Sequence, residues 1–364
     1  MSKALSSINL IKVIHLIPYD GIGGVEVAAN SIPAGIVAEA NLSINRYYIA
    51  KKSAPNPHPQ VKVGPFMSEY NPLNYLVAAF QIARQKPDIL VTSLWRSYLV
   101  GIIVKLVRPS TKLVTFLHLA KSMHSADAAL TAISLKLSSQ AWADSEATLQ
   151  NRLKRRIIST RKISFLTNHI TAPDRFHLAP SFIFWGRLHA QKNIKRALNI
   201  FSAIQSKIPN AKFMIIGPDG GERTKLEALT SSLGIDAAVT FSGALAQEEI
   251  FELAKDYTFF LQTSDVEGMS MSVVEAMQLG LIPLVTPVGE IGAYVTNGKS
   301  GILIRDDDQA ITSILTLLKA AEKCASMSQN AVAYWKNQAL YRADFIEACR
   351  SLVTISKLND HVNQ

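Results

Sequence analysis

The chain has 364 residues, 48% of them hydrophobic and 18% charged, with a formal net charge of +10. That length exceeds the usual reach of one hydrophobic core and predicts two domains, while the composition excludes a disordered chain. Two cysteines, Cys324 and Cys349, form neither a disulfide framework nor a metal-ligand spacing, so a reducing, cytoplasmic setting is expected. The first apolar run is broken by Asn9, Lys12 and His15 and reads as a strand, not a signal peptide. The longest lipid-like run, residues 98–107, contains Lys105 and is too short to span a bilayer.

The charge is uneven. Residues 1–180 hold 21 Lys+Arg against 9 Asp+Glu, and residues 181–364 hold 17 against 19. A basic first half suits a polyanionic partner, either an anionic membrane surface or a phosphorylated acceptor. Solubility alone explains the excess equally well. No nucleic-acid motif accompanies it, so no nucleic acid is expected as partner.

In chain order, short apolar β-branched runs at 10–17, 89–93, 113–117, 182–185, 213–216, 259–262 and 282–285 read as strands. Helical periodicity fills 25–39, 73–85, 194–207 and 225–233, and 326–358 reads as helical throughout. Alternating β and α elements predict parallel sheets covered on both faces by helices. Two prolines, Pro173 and Pro180, place a boundary near 170–180. The expected domains are residues 1–175 and 181–340, with a last helix at 341–364. Ligands of such sheets bind beyond the carboxyl ends of the strands, so the expected site is a cleft between two facing sheets.

The post-strand loops carry the chemistry. Strand 10–17 runs into a turn containing Gly21, Gly23 and Gly24, which admits a phosphate or sugar near a helix start or serves as a plain tight turn. Strand 182–185 ends at Gly186, and Arg187 and Lys192 follow on its loop. Two cations there suit a departing diphosphate; ordinary surface charge is the other reading. Gly217 ends strand 213–216 and borders a nucleotide or a simple turn.

The densest segment runs from Gln262 to Met277. Glu267 lies on the loop with Gly268, Met269, Ser270 and Met271, and a helix beginning near Ser270 carries Glu275 one turn in. The first amides of that helix lack intrahelical partners and suit a phosphate. Glu275 is placed to accept from two ribose hydroxyls and Glu267 to meet a sugar. The alternative is a helix with two ordinary polar residues. Asp306, Asp307 and Asp308 read as a helix cap, not a metal site. Arg152, Lys154, Arg155 and Arg156 crowd one stretch that suits anionic lipid or a solvated helix face.

The pair Glu267 and Glu275, with seven residues between and Ala276-Met277 after, resembles the E-x7-E signature of retaining GT-B glycosyltransferases, family 4 (glycosyltransferase group 1) type. Gly186-Arg187-Leu188 with Lys192-Asn193, the strand after Gly280, the Gly289-Glu290-Ile291 turn and Asn297-Gly298 with Gly301 resemble further motifs of that family in order. Residues 181–304 carry most of the resemblance. The first half matches more loosely, through Gly23-Gly24-Val25-Glu26, His118 and Ala143–Glu146. Gly268-Met269-Ser270 departs from the family's glycine–phenylalanine–glycine, which leaves the sugar unread.

The resemblance implies a GT-B fold: two Rossmann-like doubly wound domains facing across a cleft, an acceptor-binding one and then a donor-binding one, with the last helix crossing back. It implies a retaining, metal-independent hexosyltransferase using a nucleotide-diphospho-sugar and no cofactor. Arg187 and Lys192 would neutralise the diphosphate and Glu275 would hold the ribose. Glu267 with the amides near Met269 and Ser270 would bind the sugar, His118 would line the cleft, and Gly23 and Gly24 would border diphosphate or acceptor. The acceptor would be a glycan, lipid-linked or phosphorylated, in surface polysaccharide or lipopolysaccharide synthesis, with the protein cytoplasmic or peripheral at the membrane. Two other readings keep the fold: a sugar-nucleotide epimerase or hydrolase, and a non-catalytic nucleotide-sugar-binding protein. No general base is assigned.

Overall fold

The computed structural model describes residues 10–20, 24–32, 34–50, 61–62, 70–153, 158–173 and 176–362. Two compact units result: residues 1–168 with 339–364, and residues 169–338. The first keeps the basic excess, with a balance of +12 against −2 for the second.

The first unit opens with β1 (Ile11–Tyr19), α1 (Gly24–Asn30), β2 (Gly35–Val37), β3 (Leu42–Ala50) and β4 (Val61–Lys62). There follow α2 (Pro72–Arg84), β5 (Ile89–Ser93), α3 (Trp95–Val107), β6 (Lys112–Leu117), α4 (Ser125–Leu137), β7 (Gln140–Ala143), α5 (Glu146–Leu153) and β8 (Thr160–Lys162). The sheet order is β2-β3-β1-β5-β6-β7-β8, with β4 on β3. Only β2 pairs antiparallel. Strands buried on both faces read as continuous apolar runs, which is why Ile89–Ser93 is buried at every position. Tyr75, Ala78, Ala79 and Ile82 of α2 pack with Val100 and Val104 of α3 over Leu16, Ile49 and Leu90.

The second unit contains β9 (Ser181–Trp185), α6 (Ile194–Gln205), β10 (Lys212–Ile216), α7 (Arg223–Ser232), β11 (Val239–Gly243) and α8 (Gln247–Ala254). It continues with β12 (Phe259–Gln262), α9 (Met271–Gln278), β13 (Ile282–Val285), α10 (Ile291–Tyr294), β14 (Ile302–Leu303), α11 (Asp307–Leu317) and α12 (Ala321–Trp335). Its sheet, β11-β10-β9-β12-β13-β14, is parallel throughout. In α6, Ile194, Ala197, Leu198, Phe201 and Ile204 recur at helical spacing and bury one face. The last helix, α13 (Tyr341–Val362), belongs to the first unit.

Three expectations are corrected. The helix over 25–39 ends at Asn30, because Gly35 at φ 117° leaves the helical region and starts β2. The continuous helix over 326–358 is broken after Trp335, where the chain leaves one unit for the other and the Tyr341 amide donates to the Leu166 carbonyl. The boundary falls at 168/169, earlier than the prolines suggest. The following segment is bonded to the second unit, through the Ile170 amide on Gln278 and the Thr258 hydroxyl on the His177 carbonyl. Asp306 caps α11 by accepting from the Gln309 amide at 2.9 Å, as the sequence predicts. No helix among the described residues is long and apolar enough to cross a membrane.

Candidate functional site

The carboxyl edge of the second sheet is shaped by glycines at the strand ends. Gly186 and Gly217 take φ of 151° and 149°, and Gly217 lies so close to its neighbour that a β-carbon there would stand 1.9 Å from the Gly186 carbonyl oxygen. The Gly186 amide donates to Ile216 and the Gly217 amide to Gly243. Backbone thus lines this rim, as a phosphate or sugar site requires.

The loop after β9 is sewn to the loop after β12. The Asp265 amide donates to the Gln191 carbonyl, the Gln191 side chain to the Val266 carbonyl, and the Thr263 hydroxyl to the Asn193 carbonyl. The Asn193 side-chain amide also donates to Asp265. This brings the Lys192 ammonium 2.7 Å from Glu267 Oε1, a charge-assisted bond to a buried carboxylate. Arg187 stays exposed on the same loop.

Glu267 lies in a clamped turn. The Gln262 amide group donates to Glu267 and to the Ser270 hydroxyl, and Gln262 in turn accepts from Ser272. The Tyr294 hydroxyl donates to the Met269 carbonyl at 2.6 Å, and the Glu290 amide to the Gly268 carbonyl. Gly289 allows that approach, since a β-carbon would stand 2.4 Å from the carbonyl oxygens of Glu267 and Gly268. Ser270, before the first turn of α9, holds φ 57°, uncommon outside glycine. The amides of Gly268, Met269, Ser270, Met271 and Ser272 find no acceptor among the described residues. They leave a row of donors at the positive end of a helix.

Glu275 follows one turn into α9. Its two oxygens accept from the Trp185 indole and the Gln247 side chain, each at 2.8 Å. Burial pushes its carboxyl up to about 7, against the downward pull of those two donors. The carboxylate retains unused lone pairs, so further hydroxyl donors fit.

In the first unit, Gly24 stands exposed at the head of α1, and Gly21 and Gly23 lie outside the described residues, as do Lys154, Arg155 and Arg156. His118, just past β6, is buried with Nε2 3.0 Å from the Ser93 hydroxyl and Nδ1 3.6 Å from Asp144. Sequence reasoning finds no carboxylate beside His118; the sheet supplies one, because Asp144 directly follows the neighbouring strand β7. It also misses Trp185, Gln247 and Tyr294, which reach Glu275 and Met269 from other elements of the chain, and the local role of Gln262, which bonds Glu267, Ser270 and Ser272 across the turn. Among the described residues no three His, Cys, Asp or Glu side chains cluster as metal ligands.

Residues 173–333, nearly the whole second unit, match the family model Glycosyl transferases group 1. Trehalose synthase of Pyrococcus horikoshii is 28% identical over 162 residues, 40% of this chain and 37% of that protein. Alpha-monoglucosyldiacylglycerol synthase of Acholeplasma laidlawii is 24% identical over 184 residues, 50% of this chain and 46% of its own length. The chain spans less than half the length of these curated relatives. Anabaena HepE, solved in complex with UDP and glucose, superposes with a TM-score of 0.77 at 17% identity, over 94% of this chain and 100% of that one. That likeness shows the fold: two Rossmann-like parallel-sheet domains of the GT-B kind.

Proposed function

We propose, for a chain whose residues 173–333 match the glycosyl transferases group 1 model, that the protein moves a sugar from a nucleotide-diphospho-sugar to a glycan, lipid-linked or phosphorylated acceptor. The observation that carries this reading is the rim of the second unit. There the Lys192–Glu267 pair and the open amides of residues 268–272 stand on loops bonded to one another and on the first turn of α9, which carries the buried Glu275. Breaking the anomeric C–O bond builds positive charge on the sugar and negative charge on the leaving diphosphate. Lys192, Arg187 and the α9 amides would stabilise the diphosphate without a metal. Glu267 would bind the sugar, and Glu275 would accept from the ribose hydroxyls. The acceptor would attack from the face the diphosphate leaves, retaining configuration.

The acceptor side of the proposal is a surface glycan built at an anionic membrane, with the first unit against the lipid. Its support is the outer face of α2. Leu73, Leu76 and Phe80, 52%, 45% and 57% exposed, form one row that continues into Arg84, with Lys86 exposed beyond it. Apolar side chains ending in cations suit a lipid interface.

The test is calorimetric titration with UDP-, GDP- and ADP-sugars, with and without EDTA, on wild type, Glu275→Ala and Arg187→Ala. Binding of one nucleotide class, unaffected by EDTA and weakened in both variants, is expected. Binding that needs a metal and ignores both residues would sink the proposal.

A further inference from the structure

Four buried polar side chains cross the carboxyl side of the first sheet in a file: His15 on β1, Ser93 ending β5, His118 past β6 and Asp144 past β7. These strands are consecutive in the sheet, and the four residues are 1%, 0%, 7% and 3% exposed. The Ser93 hydroxyl stands 2.9 Å from His15 Nε2 and 3.0 Å from His118 Nε2. Among the described residues neither His15 Nδ1 nor His118 Nδ1 has a hydrogen-bond partner. Phe345 of α13 packs on His15 at 5.4 Å, and Phe116 and Phe165 pack on His118 at 4.3 and 5.3 Å. Aromatic rings thus cover both imidazoles and keep water away, so an unmatched proton there is costly.

One hydroxyl between two imidazoles fixes the proton count. If both Nε2 atoms were bare, one contact would set lone pair against lone pair. If both carried hydrogen, the hydroxyl would accept twice and bury its own proton without an acceptor, since Ser93 Oγ makes no third hydrogen bond among the described residues. One ring must therefore donate and the other accept. Asp144 Oδ2, 3.6 Å from His118 Nδ1, breaks the tie. A proton on that nitrogen faces a carboxylate, whereas a bare nitrogen would repel it. Ser93 then donates to His118 Nε2 and accepts from His15 Nε2–H, which leaves His15 Nδ1 as a bare acceptor. An unsatisfied buried acceptor is better tolerated than an unsatisfied donor.

We infer that Asp144, Ser93 and His15 are positioning residues that hold His118 in its Nδ1–H tautomer. This rests on the transferase reading above, with His118 lining the site as the family resemblance implies. Burial and the neighbouring His118 and Arg46 keep His15 neutral, its pKa pulled down to about 3, so it remains a one-proton member of the file. The 3.6 Å gap to Asp144 is too long for a hydrogen bond and leaves room to tighten when substrate binds.

Long-range proton–nitrogen spectra of the full chain labelled with 15N-histidine read both tautomers directly, with His15→Ala and His118→Ala assigning the rings. Nδ1–H for His118 and Nε2–H for His15 are expected; the reverse, or Nε2–H on both, overturns the inference. Asp144→Asn should give His118 mixed tautomers, whereas Ser93→Ala should free His15 to take mixed tautomers and lower kcat roughly 10-fold, about one hydrogen bond's worth, at unchanged donor KM. Ser93→Thr, which keeps the hydroxyl, should restore both. Unchanged tautomers or unchanged kcat in Ser93→Ala refutes the positioning role. Donor titration of the same samples judges the transferase reading separately: no donor binding beside the expected tautomers would sink that reading and leave the lock standing.

Discussion

Replacing Glu275 by glutamine separates the cost of a buried charge from its use. The carboxyl rises from 4.5 to about 7, chiefly by burial. At about 1.4 kcal/mol per pKa unit, that is roughly 3 kcal/mol. A raised carboxyl favours the folded state while protonated. Its stability is fully present below pH 4.5 and is lost as the pH rises through 7. Between pH 5.5 and 8.5 the wild type should therefore lose about 2 kcal/mol that Glu275→Gln, neutral throughout, retains. Urea denaturation of both proteins at the two pH values, followed by tryptophan fluorescence, measures this difference of differences. The reasoning is refuted if the gap between variant and wild type is the same at both pH values. Donor binding should move the other way. Losing a charged acceptor for ribose hydroxyls should weaken nucleotide-sugar affinity by about 1.5–3 kcal/mol, seen by calorimetry at pH 8.5.

Gly217→Ala forces a β-carbon to 1.9 Å from the Gly186 carbonyl oxygen, and should lower the melting temperature and abolish donor binding together. Gly289→Ala, at φ 59° and 2.4 Å from two carbonyl oxygens, should cost about 1–3 kcal/mol; thermal denaturation checks this, and donor affinity should fall as the Glu267 turn is displaced. Lys192→Met leaves the Glu267 carboxylate without its cation and should weaken UDP-sugar and UDP binding alike, by titration. Leu76→Glu with Phe80→Glu should abolish flotation with anionic vesicles while leaving donor affinity unchanged; retained flotation would count against the α2 surface.

The local elements of the second unit were legible because their signals are local. Phe182–Trp185 before Gly186 announces a strand end, and the spacing of Glu267 and Glu275 survives folding unchanged. The partners of those residues were not legible. Nothing near Glu275 in the chain points to Gln247, and Lys192 meets Glu267 only because two loops are bonded through Asp265, Gln191 and Thr263. In the first unit, β3 escaped notice because Asn45 and Arg46 interrupt its apolar run, although it pairs with β1 along nearly its whole length. His118 was singled out, but Ser93 and Asp144 sit beside it by virtue of strand order, which local periodicity does not encode.

The chain quits the first unit at residue 168 and rejoins it at 339, which has a consequence for synthesis. Domains ordinarily fold as they leave the ribosome, the earliest first. Here the second unit is complete on emergence, whereas the first waits with Trp142, Phe116 and His15 uncovered until Tyr341 and Phe345 arrive to stack on them. The half made first is finished last. A chain stalled before residue 339 should hold a native second unit attached to an incomplete first one, the state on which a chaperone or protease would act.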